Sequence, residues 1–209
     1  MPKLTESIIQ QALEFAYNAG ANSATELAES YKKRYPACKQ KQVDALIKWQ
    51  IANGAASGFV TGLGGVITLP VAVPANIASV LFIQMRMIAA IAIIGGYDPK
   101  DERVKAFALS CLVGSGIKNA FKEIGIELGK KIMLGQISQG MLTRISRFVS
   151  LKLLSKFGEK GVGKILPIVG GVIGGTMDAV WVASVGKVAK SFFIEDSGLF
   201  IEAEPAILE

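Results

Sequence analysis

IANGAASGFVTGLGGVITLPVAVPANIASVLFIQMRMIAAIAIIGGYDP, from Ile51 to Pro99, belongs to an apolar stretch with no charged residue between Lys48 and Arg86. That stretch is longer than the roughly 20 apolar residues that span a bilayer. Glycines and prolines interrupt it, and proline cannot continue a regular helix. The sequence therefore predicts apolar helices separated by a break, rather than one ordinary spanning helix.

Small residues recur at helical spacing in the first half of this stretch. Gly54, Gly58 and Gly62 are four residues apart, so they line one stripe of a helix and let another backbone approach closely. The residues that break the pattern are Gly64, Gly65, Pro70 and Pro74. We expect a loop-like or re-entrant connection over 63–74 and a helix from about residue 75 to 94. Because that helix is apolar nearly all round, it is buried, in protein or in lipid.

Arg86 is the polar exception in this second helix. A guanidinium in apolar surroundings needs a partner, because an unpaired buried charge costs several kcal/mol. The candidates are Asp98, Asp178 and a lipid phosphate. A structural salt bridge is the favoured interpretation.

Amphipathic segments before the apolar stretch predict three helices, over 3–18, 24–34 and 39–51. The first helix is expected to be capped by Thr5 or Ser7 and to stop at Gly20 and Asn22. The second is expected to end at Tyr35-Pro36. After the stretch, Asp98 is expected to cap a helix that begins at Pro99 and continues to about residue 113. A further amphipathic helix is expected over 117–133.

The segment 137–157 combines helical apolar spacing with a cluster of arginines and lysines. Basic amphipathic helices of this kind lie on anionic membrane surfaces, although packing on a neighbouring helix produces the same pattern. As a lipid-binding face, the sequence proposes Lys130, Lys131, Arg144, Arg147, Lys152 and Lys156. Leu151 is one of the apolar residues interleaved with these cations.

A second glycine-rich apolar unit, 165–193, mirrors the first, and the two are expected to pack together. Its glycines are Gly170, Gly171, Gly174 and Gly175. These features predict an all-α fold, a compact helical bundle of two Gly-rich apolar helical units with amphipathic covering helices. The expected division is an N-terminal helical pair over 1–36, a helical domain over 37–194 and an acidic tail over 195–209.

Charge and targeting signals restrict the partners and the compartment. The formal net charge is +6, with basic residues concentrated in the middle of the chain, which favours an anionic partner. Motifs for nucleic-acid binding are lacking, so anionic lipid or a protein partner is expected instead. The amphipathic amino terminus has no signal-peptide pattern. We expect a protein at the inner face of the cytoplasmic membrane, peripheral or inserted, of undetermined oligomeric state.

Catalytic and cofactor motifs are not complete anywhere in the sequence. The chain has no histidine, and Cys38 and Cys111 are isolated, without metal-site spacing. Gly158, Gly163 and Lys164 match the beginning of a phosphate-binding loop, but Ile165 replaces the hydroxyl residue that contacts Mg²⁺. Nothing in the pattern argues for an enzyme, a metal or a cofactor.

Two blocks of the sequence resemble the EcsC protein family, over about residues 43–193. The first includes Ala55-Ala56-Ser57-Gly58-Phe59, Thr61-Gly62-Leu63-Gly64-Gly65, Thr68-Leu69-Pro70, Val73-Pro74-Ala75, Gln84-Met85-Arg86-Met87-Ile88 and Gly96-Tyr97-Asp98. The second includes Lys164-Ile165, Ile168-Val169-Gly170-Gly171, Gly174-Gly175, Asp178, Gly186, Ala189 and Phe192-Phe193.

The resemblance implies a bacterial α-helical protein without established catalytic residues. The family is named for a protein encoded beside an ABC transporter, and similar glycine-rich helical proteins occur in bacterial conflict and anti-phage defence. Asp178 falls where relatives often carry Asn, which argues against a role for its charge. The leading hypothesis is a non-enzymatic protein that binds the membrane through its basic face and the 54–94 hairpin. The alternatives are a membrane-permeabilising effector and a soluble interaction module.

Overall fold

The computed structural model describes residues 5–55, 75–113, 137–157 and 173–195, with the side chains of 53–55, 75–77, 79, 156–157 and 173–179 left aside. These ranges contain six α-helices and one π-helical turn. The helices are α1 (Glu6–Arg34), α2 (Lys39–Ala55), α3 (Ala75–Gly95), α4 (Glu102–Cys111), α5 (Gln139–Phe157) and α6 (Ile173–Lys190), followed by the turn Ser191–Glu195. The all-α bundle expected from the sequence is confirmed.

The first helix is continuous, so the predicted pair of helices with a stop at Gly20 is wrong. Thr5 caps its start by accepting a hydrogen bond from the backbone N–H of Ile8 at 3.4 Å, as expected. Gly20 lies where α1 crosses α3. A Cβ atom there would stand 2.8 Å from the backbone nitrogen of Arg86. The glycine therefore serves close helix packing rather than helix termination.

The apolar helix α3 forms the centre of the bundle. It packs against α1, α2, α4 and α6, with α1 forming its most extensive interface. Leu81, Met85, Ile88 and Ile91 are fully buried on it. One continuous core cluster includes residues of all six described helices, so α1 packs into the same core as the other five.

The connection between α3 and α4 differs from the prediction at Asp98. Gly96, at φ 104°, follows the end of α3 in a conformation that favours glycine. Asp98 then accepts a hydrogen bond from the Lys100 backbone N–H at 2.8 Å and closes a turn. The cap of α4 is Asp101, whose carboxylate accepts from the Arg103 N–H at 2.7 Å.

The local bonding of Asp101 and Tyr17 explains why the cap lies three residues later than expected. Burial disfavours the charged form of Asp101, but its hydrogen bonds with Arg103 outweigh that effect and lower its pKa. The Tyr17 hydroxyl donates to the Pro99 carbonyl and so holds the preceding turn against α1. Burial raises the pKa of this phenol.

An aromatic cluster fastens the end of the described chain to the core. The Phe107 and Phe192 ring centroids are 4.7 Å apart, and those of Tyr97 and Phe193 are 5.6 Å apart. Phe192 and Phe193 belong to the π-helical turn and are buried. Residues up to 195 are thus part of the bundle.

Several predicted features lie outside the described residues. They are the helix over 117–133, the tail over 196–209, and the positions Gly58, Gly62, Gly64, Gly65, Pro70, Pro74, Gly170 and Gly171. Gly54 lies near the end of α2, and Gly174 and Gly175 lie in the first turn of α6. Their predicted packing role stays a prediction.

Candidate functional site

The most distinctive surface in the described structure is the outward side of α5. Ser138 directly precedes this helix, and its hydroxyl accepts a hydrogen bond from the Met141 backbone N–H at 3.4 Å. The glutamine that follows, Gln139, bonds the side chain of Glu102 and so ties the start of α5 to the start of α4. The beginning of α5 is therefore held next to the beginning of α4.

Helical periodicity separates two faces of α5. Leu142, Ile145, Val149 and Leu153 are buried against the bundle, where α5 packs on α1 and α4. The opposite side exposes Arg144, Arg147 and Leu151, and Lys152 is exposed at its edge; we call these four residues the α5 stripe. The apolar face of α5 is thus occupied by protein, and the basic face is directed outward.

Leu151 is 47% exposed. It lies seven residues after Arg144 and four after Arg147, which places all three on the same side of the helix. The sequence contained this signal in the spacing from the arginines. The stripe is consequently a set of cations around one exposed aliphatic side chain.

The cations of the stripe have few neutralising neighbours. Arg147 forms an ion pair with Glu6 at 2.9 Å, yet its side chain remains 67% exposed. Such an exposed pair is worth little, because water and salt screen it. The Lys152 ammonium lies 5.6 Å from the centre of the Phe148 ring, a contact that leaves its charge in place. The stripe therefore carries a net positive charge.

The other predicted lipid-binding residues cannot be assigned to this surface. Lys130 and Lys131 lie outside the described residues, and the side chain of Lys156 in the last turn of α5 is not described. Three of the six predicted positions, Arg144, Arg147 and Lys152, are therefore exposed on α5, and the first two of them share one side of the helix.

Arg86 is half-buried, and its Nε donates to the backbone carbonyl of Ser23 in α1 at 3.2 Å. Among the described side chains, no carboxylate forms an ion pair with it. Asp98, a proposed partner, is exposed and bonded within its own turn. Asp178 lies in α6, with its side chain outside the description. Of the proposed partners, Asp98 does not pair with Arg86, and the contact that the described residues provide is the hydrogen bond to the backbone of α1.

Gln84, one turn of α3 away from Ile88, is a buried polar residue that sequence reasoning missed. Its side chain is 1% exposed, and neither amide atom has a hydrogen-bond partner in the part of the chain that is described. An unsatisfied buried polar group costs about 1–3 kcal/mol. No feature of the sequence distinguishes this glutamine from the satisfied Gln42.

We expect Gln84→Met to raise the free energy of unfolding by about 1–2 kcal/mol, because methionine fills a similar volume without unsatisfied polar atoms. Gln42→Met is the matched control. Gln42 is equally buried but donates to the Tyr35 carbonyl at 2.8 Å, so its replacement should lower stability. Chemical denaturation of the three proteins measures both effects. A loss of stability in Gln84→Met would show that Gln84 is satisfied in solution.

Groups that could support catalysis or metal binding are sparse in the described ranges. Within them, no group of three or more His, Cys, Asp or Glu residues could hold a metal ion. Cys111 is fully buried, and burial raises the pKa of its thiol, so the reactive thiolate is disfavoured. Within the same ranges, no helix combines the length and the apolarity that crossing a bilayer requires.

Comparison with known proteins identifies the family. The model of the EcsC protein family matches residues 3–194. The chain belongs to the EcsC protein family. The match includes α1, so the family unit begins about 40 residues earlier than the resemblance in the sequence indicated.

A curated relative is the uncharacterized protein YdbA of Bacillus subtilis (strain 168), which is 30% identical over 119 residues. This alignment covers 56% of the chain and 42% of the relative, so less than half of that protein is represented. No solved structure matches the chain.

Proposed function

We propose that this EcsC-family protein is a non-enzymatic membrane-associated protein that binds anionic lipid through the α5 stripe. The observation that carries the proposal is the exposure of Arg144 and Arg147 on the same side of α5 as Leu151, with the exposed Lys152 at the edge of that side. Lipid phosphates attract such cations, and an exposed leucine gains free energy by entering the headgroup layer. The proposed location is the inner face of the cytoplasmic membrane.

The burial of α3 in the protein core favours peripheral docking over insertion of the 54–94 hairpin. Its fully buried side chains form the centre of the core, so lipid can reach them only after the bundle opens. A permeabilising effector would require that opening. Leakage of dye from vesicles therefore separates the two modes, since peripheral docking leaves the bilayer intact.

A second candidate is an interaction module that serves a transporter or another protein partner. The burial of the apolar faces of α1, α3 and α5 favours this candidate, because these faces pack against one another in the core and leave no apolar helix face for lipid among them. In that case the stripe would bind an acidic protein surface. Binding to protein-free vesicles distinguishes the two candidates.

The test is flotation of the purified protein with neutral and anionic vesicles. Substitution of Arg144, Arg147 and Lys152 by Gln should weaken binding to phosphatidylglycerol vesicles roughly 100-fold at low salt, at about 1 kcal/mol per cation near the surface. Binding of the parent protein should also fall steeply as salt is added.

Lys32→Gln, Lys33→Gln and Arg34→Gln together form the matched control, since they remove the same charge from the last turn of α1. This control should bind as the parent does. Equal losses in both triple variants would mean that overall charge, and not the stripe, determines binding. A parent protein that stays with neither vesicle type would contradict the membrane proposal and favour the interaction module.

A further inference from the structure

Helices α2 and α6 form an antiparallel pair. The Lys190 ammonium lies 2.7 Å from the Asp44 carboxylate. One turn further along α2, a Cβ on Gly186 would stand 2.8 Å from Ile47 Cγ1. Rising residue numbers on α2 therefore meet falling numbers on α6. The two contacts also show which side of each helix is directed towards the other.

Two exposed lysines lie on the solvent side of α2, next to its line of contact with α6. At about 100° per residue, Lys41 and Lys48 lie within about 60° of Asp44 around the helix. Both are on the side of Asp44 that is away from Ile47, which is buried. Trp49 is 48% exposed, but it lies on the side of α2 that is directed away from α6. It is therefore not part of the surface between the two helices.

The corresponding side of α6 exposes Lys187 and Val180. Lys187 lies about 60° from Lys190 around the helix, on the side away from the buried Gly186. Val180 is seven residues before Lys187, which places it on the same side two turns away, and it is 70% exposed. The solvent side of the pair thus combines lysines of both helices with one aliphatic side chain. We call Lys41, Lys48, Lys187 and Val180 the α2–α6 surface.

The α2–α6 surface is positively charged. Among the described residues, none of its three lysines forms an ion pair. Asp44 is the one acidic residue on either helix whose side chain is described, and it is bonded to Lys190. The three ammonium charges are therefore available to an acidic partner.

The last described residue brings an acidic group to this surface. Glu195 Oε1 lies 3.6 Å from the Lys190 ammonium, which is the same group that bonds Asp44. The buried rings of Phe192 and Phe193 hold this end of the described chain in the core. The chain therefore continues into segment 196–209 from a point beside the α2–α6 surface.

The chemistry and the length of that segment match the surface. Its sequence, DSGLFIEAEPAILE, has four acidic residues, no basic residue and apolar residues between the acids. From the contact of Ile47 with Gly186, Lys41 and Val180 are each six residues away in opposite directions, so the surface extends about 18 Å along the helices. Fourteen residues in extended conformation reach about 46 Å. The segment is long enough to follow the whole surface.

We propose that segment 196–209 docks on the α2–α6 surface of its own chain. Its carboxylates pair with Lys41, Lys48 and Lys187, and an apolar side chain of the segment covers Val180. Exposed ion pairs are individually weak. Covalent attachment beside the surface compensates, because it gives the segment a high effective concentration there. This inference goes beyond the membrane association proposed above, since it concerns a face other than the α5 stripe.

Cross-linking with a carbodiimide tests the contact, because this reagent joins a carboxylate to an amine only when the two groups touch. In the purified protein we expect Glu202 or Glu204 to be joined to Lys48 or Lys187, as identified by mass spectrometry. Lys152 of the α5 stripe is also exposed and should not be joined to the segment. No cross-link between the segment and the α2–α6 surface would overturn the inference.

Isotope labelling identifies the chain that supplies the segment. When unlabelled and ¹⁵N-labelled proteins are mixed before the reaction, every cross-linked pair should carry a single label. Pairs that combine the two labels would assign the surface to a second copy of the chain, which contradicts docking within one chain.

Proteolysis tests the role of charge. The substitutions Lys41→Gln, Lys48→Gln and Lys187→Gln together should accelerate cleavage after Glu202 by a glutamate-specific protease roughly tenfold at low salt. This is the effect of losing three exposed ion pairs when cleavage follows the undocked population. In the control, Lys32→Gln, Lys33→Gln and Arg34→Gln remove the same charge from the end of α1, and cleavage should match that of the parent. Unchanged cleavage in the first variant, or equal acceleration in both, would contradict the proposal.

Flotation with anionic vesicles keeps this inference separate from the membrane proposal. The variant of the α2–α6 surface should float as the parent does, because its α5 stripe is intact. If it no longer floats and its cleavage after Glu202 is unchanged, lipid occupies the surface and the segment does not. If the parent itself fails to float, the membrane proposal is wrong, while the expected cross-links stay the same.

Discussion

Gly20→Val should lower the free energy of unfolding by about 3 kcal/mol or more, the upper range for overpacking a core. The glycine has no room for a side chain where α1 crosses α3. A Cβ would lie 2.8 Å from the Arg86 nitrogen and 3.0 Å from the Met85 carbonyl carbon. Both are backbone atoms, so relief requires the two helices to separate along their most extensive interface. Chemical denaturation followed by circular dichroism measures the loss.

Gly140→Val is the matched control for this substitution. Gly140 is exposed in the first turn of α5, and the nearest atom to a Cβ there is the Ser138 hydroxyl at 3.9 Å. Helix propensity alone predicts a change within about 1 kcal/mol. Equal effects at the two positions would contradict close packing at Gly20. A stable Gly20→Val protein would mean that the interface can move apart at little cost.

Phe107→Ala should lower the free energy of unfolding by about 3–5 kcal/mol, the range for deletion of a buried aromatic side chain. Phe107 is fully buried on α4, and its ring contacts both Phe192 and Phe193 of the π-helical turn. The substitution leaves a cavity between α4 and the end of the described chain. The effect is measured by denaturation, and hydrogen exchange of residues 191–195 should increase with it.

Phe148→Ala provides the comparison, because Phe148 is only half-buried and lies beside the α5 stripe. Its loss should cost clearly less than that of Phe107. If Phe107→Ala is no worse than Phe148→Ala, the aromatic cluster does not fasten the turn to the core. In that event, the end of the described chain would contribute little to stability.

Some helix boundaries were predictable because their causes are local. Thr5 caps the start of α1, Tyr35-Pro36 directly follows its last residue, and Gly96 directly follows the last residue of α3. Each of these depends on bonds or backbone angles within a few residues. The predicted cap of α4 was wrong because Asp98 and Asp101 are both residues that can cap a helix. The choice depends on Tyr17, 82 residues away along the chain from Pro99.

The same difference between local and long-range causes applies to the exposed residues of α2, α5 and α6. Periodicity was sufficient to place Arg144 and Arg147 on one side of a helix. The exposure of Trp49 and Val180 was not predictable in this way, because their helices carry apolar residues on several sides. It follows from the pairing of α2 with α6 and from the side on which α3 lies.

The sequence by itself determined the helical class, the burial of the apolar helix α3 and the basic side of α5. These properties follow from composition and from the period of 3.6 residues, which act within one segment. Tertiary structure alone decided that Gly20 is a packing position, that Arg86 bonds the backbone of α1 and that Gln84 lacks a partner among the described residues. The reason is physical: each depends on which atoms from distant parts of the chain come within a few ångströms, and residue spacing within a segment carries no information about that.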